Sequence, residues 1–228
     1  MLKQSIRNNS LVLGLFALVT SVLLASTYLG TKTTIEDAER RAAQKILLEL
    51  YPASSHDNDL LKDVLPIPEA YLSTLGLKTA ANIHVVKKEE KIIGFIIPAI
   101  APDGYSGHIR LLIGINVDGA IAGVRVVSHN ETPGLGDKVD LRKDNWILSF
   151  NGKNLTNPDR DAWAVKKDNG YFDQFTGATI TPRAVVSRVL KTLIFYKEHS
   201  GELLKAAAKL AGLPPANAPH APTGTGNK

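Results

Sequence analysis

Residues 10–30 read SLVLGLFALVTSVLLASTYLG, a run of 21 residues without one charged side chain. As a helix rising ~1.5 Å per residue, such a run covers the ~30 Å hydrocarbon core of a bilayer. No other feature constrains the chain as much, because the segments before and after a span lie on opposite sides of a membrane. A cleaved signal peptide is the competing reading. Its apolar region is usually ~7–15 residues long and ends in small residues, whereas LLASTYLG is a poor cleavage site. Lys3 and Arg7 precede the run on a leader without an acid, while Lys32 behind it is mixed with Glu36, Asp37 and Glu39. The positive-inside rule then keeps residues 1–9 in the cytoplasm as a leader, lets 10–30 span, and exports the remainder.

The exported part is less basic than the chain as a whole, since leaving out Lys3 and Arg7 lowers the formal charge from +5 to +3. That balance gives no nucleic-acid footprint. Cysteine is absent, which removes disulfides and thiolate metal sites, and the six histidines do not fall at metal-ligand spacings.

Behind the span, residues 34–51 carry Ile35, Ala38, Ala42, Ile46 and Leu50 at steps of three and four, the pattern of an amphipathic helix, which Pro52 ends. A proline-rich stretch follows and reads as loop with short helical turns. The period then changes. NIHVVKK and KIIGFIIPAI are β-branched runs joined by a short charged turn, and IRLLIGINV meets AIAGVRVV across Asp118-Gly119, a hairpin dipeptide. Between the two hairpins, APDGYSGHI reads as a surface loop. The expected fold class is α+β: a transmembrane helix, then a mainly antiparallel sheet packed with helices. The division is 31–81 for a helical and loop segment, 82–204 for the core domain, and 205–228 for a helix end and a disordered tail. Trp146, Phe150 and Trp163 are read as core rather than as a cofactor platform.

Two stretches invite a functional reading. NETPGLGDKV, residues 130–139, pairs Pro133 with Gly134 as a type II turn does and adds Gly136 two residues on. It is either a connector or a loop that brings backbone close to a ligand. The second is FTGATITP, with three threonines in eight residues. Beyond it Val185, Val186, Val189, Leu190, Leu193 and Ile194 form a helical stripe with Arg183, Ser187, Arg188 and Lys191 off it. Pro182 suits a first helical position, which makes Thr181 the expected N-cap. Thr179 then sits where small residues approach a helix N-terminus. That is a favourable place for a phosphate, or an ordinary threonine-rich turn.

DQFTGAT, residues 173–179, resembles the covalent-flavin attachment motif of the FMN-binding domain family: an acid, then serine or threonine, glycine, alanine, and a final threonine or serine. In that family the final hydroxyl carries FMN through a phosphoester bond installed by a flavin transferase. The resemblance makes Thr179 the acceptor, with Thr176, Gly177 and Ala178 completing the motif and Thr181 beside it. Gln174 departs from the glycine or alanine usual after the acid. The stretch GYSGHIRLLIGINVDGAIAGVRVVSHNETPGLGDKV, the N-terminal span and FTGATITPRAVV are together similar to the G-subunit family of the Rnf (Rsx) electron-transport complex. The related C subunit of the sodium-translocating NADH:quinone oxidoreductase and a non-redox exported binding domain are the alternatives.

The resemblance implies a single-pass protein of a bacterial inner membrane whose periplasmic domain carries covalent FMN. It implies partners among the other membrane subunits of the Rnf complex, and no catalysis by this subunit alone. By analogy, Glu131, Thr132, Pro133, Gly134, Leu135 and Gly136 lie along the flavin. Arg183 or Lys138 offsets the phosphodiester charge, and His129 is the candidate for a rival covalent link.

Overall fold

The computed structural model describes residues 2–212, and the tail expected to lack a core lies outside them from residue 213 onward. Two compact units divide the chain, one ending at Lys45 and the second beginning at Ile46.

The first unit is helical throughout its described residues. Helix α1 (Leu2–Leu50) runs without a break where the sequence pattern placed an amphipathic helix after the span. Nothing between the two segments stops a helix: there is no proline, and a lone interior glycine such as Gly30 costs only ~1 kcal/mol. Asn9–Lys32, with mean hydropathy 2.1, is long and apolar enough to cross a membrane. The Oγ1 atoms of Thr20, Thr27 and Thr31 donate to carbonyls four residues earlier at 2.8–2.9 Å, so their hydroxyls are satisfied without water. Ile35, Ala38 and Ala42 stay exposed, contrary to the stripe expected of them.

The second unit is built on a meander. Strands β1 (Val64–Pro66), β2 (Asn82–Lys88), β3 (Lys91–Gly104), β4 (Gly107–Asn116) and β5 (Ile121–Ser128) pair antiparallel in sequence order. One turn of helix, α2 (Glu69–Leu72), separates β1 from β2 within the stretch read as loop. The APDGYSGHI segment is a third hairpin rather than a loop: β3 and β4 stay paired to Gly104↔Gly107, with Tyr105 and Ser106 at the tip. Alternation explains the extension, since Ala99, Ala101, Ile109 and Leu111 all face the core and carry the pairing past the apparent glycine boundary.

Helix α3 (Ile180–Leu210) covers one face of the sheet. Val185, Val189 and Leu193 expose at most 1% of their surface to solvent, packed in a cluster that includes Phe95, Ile97 and Ile113. Each such side chain stabilises the fold by ~1.5–3 kcal/mol. Arg188, expected off the stripe, is buried with it at 6% exposure. In a smaller second cluster, Leu47, Leu50 and Tyr51 pack with Leu60 against Val86 and Ile96.

Between β5 and α3 the chain makes only short turns, held by an aromatic nucleus. Trp146, Phe150 and Trp163 are core, as expected, joined by Phe172 and Phe175; Trp146 meets Phe175 edge-on at 5.1 Å, and Phe150 stacks on Phe172 at 4.5 Å. Trp146 Nε1 also donates to the Asp173 carbonyl at 2.8 Å, which fixes the chain immediately before FTGAT.

Candidate functional site

Three segments distant in sequence meet at the N-terminal end of α3. The first is the turn over residues 175–178. Ala178 N donates to Phe175 O at 3.1 Å, and Gly177 takes φ +79° in the third position, as a type II turn requires. Phe175 is buried against Trp146, so the turn hangs from the aromatic nucleus and delivers Thr179, half-buried, to the helix.

The cap differs from the sequence expectation. The helix starts at Ile180, so Thr179 is the N-cap and Thr181 the second helical residue, and the Thr179 hydroxyl makes no capping bond. Proline is tolerated throughout the first turn because those amides have no helical partner, so Pro182 alone could not fix the start. Thr181 Oγ1, fully buried, donates instead to Glu131 Oε2, across 50 residues of sequence.

The second segment is the loop after β5. Leu135 N donates to Thr132 O at 3.1 Å with Gly134 at φ +76°, so residues 132–135 form another type II turn. This turn touches the first: Leu135 Cδ2 lies 3.6 Å from where a Cβ on Gly177 would stand. A Cβ on Gly136 would come within 2.7 Å of both Glu131 Oε2 and Thr181 Oγ1, so only glycine lets the loop close on that hydrogen bond. The third segment is the β3–β4 tip, whose Ser106 N donates to Glu131 Oε1 at 3.0 Å. Glu131, 4% exposed, thereby ties the tip, the loop and the helix together.

A cleft of about 680 Å³ opens between these segments. Of the expected residues, Gly177, Ala178, Thr179, Thr181, Glu131, Thr132, Leu135 and Gly136 line it, whereas Thr176, Pro133 and Gly134 do not. Lys138 is absent from the wall as well. Arg183 lines it, but its guanidinium is paired with Asp168 at 2.5 Å, an arrangement that holds the Asp168 carboxyl below its ordinary range and the guanidinium above its own. His129 lies in another cleft, its Nδ1 accepting from Glu131 N at 3.1 Å.

Sequence reasoning missed Tyr105, Lys167 and Ile180, all in the wall. Tyr105 gave a usable signal, an aromatic between glycines at a hairpin tip. Lys167 gave none, being brought in by a turn whose own amide donates to Gln174 Oε1 at 3.1 Å. The departure at Gln174 therefore has a structural use: its side chain holds the lysine-bearing turn beside the motif.

A five-stranded meander backed by one long helix, with such a cleft at the helix start and an apolar span ahead of it, is the layout of a membrane-anchored flavin-binding domain. Residues 104–193 match the FMN-binding domain family, and residues 1–50 match the RnfG N-terminal region. Three relatives extend the match over nearly the whole chain, and each is named as the G subunit of an ion-translocating oxidoreductase complex. That of Pseudoalteromonas atlantica is 46% identical over 207 residues, 90% of this chain and 95% of the relative. That of Pseudomonas aeruginosa is 46% identical over 202 residues, 89% and 94% of the two chains. That of Vibrio cholerae serotype O1 is 42% identical over 199 residues, 87% and 94%. The chain belongs to the G-subunit family of ion-translocating oxidoreductase complexes.

The cleft suits FMN on three counts. Its volume lies within the ~300–1,000 Å³ typical of cofactor sites. A 31-residue helix opens into it with its N-cap side chain making no capping bond, and a helix N-terminus is a usual reception for a phosphate. Tyr105, Leu135 and Ile180, between 42% and 69% exposed, are large apolar side chains left uncovered around it, a surface that a planar ring system would bury.

Proposed function

We propose that this chain is a membrane-anchored flavoprotein subunit that carries FMN covalently on Thr179 and passes electrons within a complex that couples electron transfer to ion translocation. The observation that carries the attachment is the state of Thr179. It occupies the N-cap of α3 and lines the cleft, yet its hydroxyl makes no capping bond, which leaves the oxygen available for a phosphoester. Its neighbour Thr181 is committed to Glu131 and shut from solvent, so the two threonines are chemically unequal.

The protein's contribution is to hold and tune the cofactor, which itself supplies the electron chemistry. Thr179 Oγ1 would hold the FMN phosphate as a phosphoester, installed by a dedicated flavin transferase. The resulting diester keeps one negative charge, offset by the α3 N-terminus and by Lys167 in the cleft wall. Arg183 contributes less than its position suggests, because Asp168 already neutralises it. Tyr105, Leu135 and Ile180 would shield the ring system from water, and Glu131 keeps the three segments in register.

Lys3 and Arg7 ahead of the span support a cytoplasmic N-terminus, with the domain on the periplasmic face of a bacterial inner membrane. There a covalent tether prevents loss of the cofactor by dilution. Partners are the other membrane subunits of the Rnf complex. The names of the relatives favour this over the C subunit of the sodium-translocating quinone reductase, and the FMN-binding match disfavours a non-redox binding domain.

Coexpression with a flavin transferase provides the test. The native chain should stay yellow after denaturation and precipitation. Thr179→Val should fold and come out colourless, its intact mass lower by FMN less one water, while Thr179→Ser regains flavin. Covalent FMN persisting in Thr179→Val, with the modified peptide mapped to Thr181 or His129, would overturn the acceptor.

A further inference from the structure

Arg188 is hard to justify as a core residue. Only 6% of it is exposed, Nη1 donates to the Thr74 carbonyl at 2.7 Å, and Nε has no partner among the described residues. Burial pulls its pKa below the usual arginine value, and Asp103 opposes that shift only from longer range. A buried guanidinium with one carbonyl for company is costly unless another negative group compensates it. The guanidinium lies directly beneath Gly76, where a Cβ would stand 3.0 Å from both Cζ and Nη2.

Gly76 forms part of the wall of a second cleft, of about 440 Å³, that shares no residue with the flavin cleft. The chemistry of its lining is one-sided. Lys78, His108 and Arg110 face it, and none of the three has an ion pair or a side-chain hydrogen bond among the described residues. Thr79, Ser128 and Asn130 add neutral donors, and no carboxylate among the described residues lines it. His129 completes the wall, its Nδ1 accepting from the Glu131 amide and its Nε2 lying 3.9 Å from Asp140 Oδ2 behind it.

We propose that this cleft binds a phosphate-bearing ligand, whose oxyanion is held by Lys78 and Arg110 above the buried Arg188. Two cations in the wall, a third buried beneath it at Arg188, and no acid among the lining residues match a multiply charged oxyanion better than a single carboxylate or a halide. Lysine and arginine with hydroxyl donors around them are the usual phosphate reception. The phosphate has two sources with the same chemistry, a soluble phosphomonoester or the headgroup of an anionic lipid.

The test uses the full-length, FMN-loaded chain in nonionic detergent at constant ionic strength. Inorganic phosphate is titrated in one arm and micelles doped with phosphatidylglycerol in the other, with thermal midpoint and phosphorus NMR line width as readouts. A saturable response to inorganic phosphate assigns the soluble source, and a response to the doped micelles alone assigns the headgroup. In either case the Lys78→Gln/Arg110→Gln variant should bind at least tenfold more weakly with unchanged tryptophan fluorescence and flavin absorbance, because both side chains are exposed and outside the flavin cleft. No saturable response in either arm, or a response that survives the double substitution, overturns the proposal.

Discussion

Thr181→Val separates the structure's account of this threonine from a simple capping role. Valine matches threonine in shape, so at a fully buried site it leaves no cavity and removes only the hydroxyl. An ordinary N-cap would cost ~1 kcal/mol. Here the lost donor served a carboxylate that is 4% exposed and, among the described residues, keeps only the Ser106 amide as a partner for its other oxygen. Hydrogen bonds to charged groups contribute ~1.5–3 kcal/mol, so the expected loss is ~2 kcal/mol. At ~2–4 °C per kcal/mol for a domain of this size, the midpoint should fall by ~4–8 °C, with flavin retained.

Both tryptophans of the chain, Trp146 and Trp163, are buried in the aromatic nucleus, so their fluorescence during urea unfolding of the detergent-solubilised protein reports the domain. The decisive measurement is a double-mutant cycle with Glu131→Gln, which preserves size and an oxygen for Ser106. Coupling of ~1 kcal/mol or more is expected for groups sharing one buried hydrogen bond, whereas additivity within ~0.3–0.5 kcal/mol would refute the reasoning.

Gly134→Val forces a β-branched residue to φ +76° and should cost ~1–2 kcal/mol. It should also change the absorbance or redox potential of attached FMN, and an unchanged spectrum and potential in a folded variant would return the loop to a connector. The Arg142 guanidinium bonded to Asp140 holds that carboxyl below its usual range. Its stabilising effect is therefore present above the ordinary carboxylate value of ~4 and is lost as pH falls through the depressed one. Stability measured from pH 5 to 2 should fall less steeply in Asp140→Asn. A reporter active only in the periplasm, fused after Gly212, should be active, and activity of a cytoplasmic reporter there instead would reverse the orientation.

The span, the meander and the aromatic nucleus were legible because each is written in local pattern: an uncharged run, β-branched alternation, and large apolar side chains between polar turns. The extension of β3 and β4 to Gly104 and Gly107 was not, since the Gly-Tyr-Ser-Gly tip has the composition of any surface loop. Arg188 was misread for a related reason. A charged residue beside a helical stripe usually points to solvent, and only the strand edge and the 74–76 turn packed around it reveal its burial. At the candidate site, the motif and the Pro-Gly loop announced themselves, whereas Tyr105 and Lys167 converge on Thr179 only through topology. The start of α3 was misplaced within its first turn because proline restricts a first turn without numbering it.

The contacts that anchor the acceptor turn to the rest of the domain are long-range. Trp146 holds the Asp173 carbonyl from 27 positions away, and Glu131 reaches Thr181 across 50. A short FTGAT peptide contains none of them, so the conformation that presents Thr179 arises only once the sheet, the loop and the helix have come together. On the proposed attachment, cofactor loading would be subordinate to tertiary assembly. If Thr179 is the acceptor as proposed, an enzyme that reads this presentation would screen each nascent molecule for correct assembly, and pigment content would tally how many molecules passed.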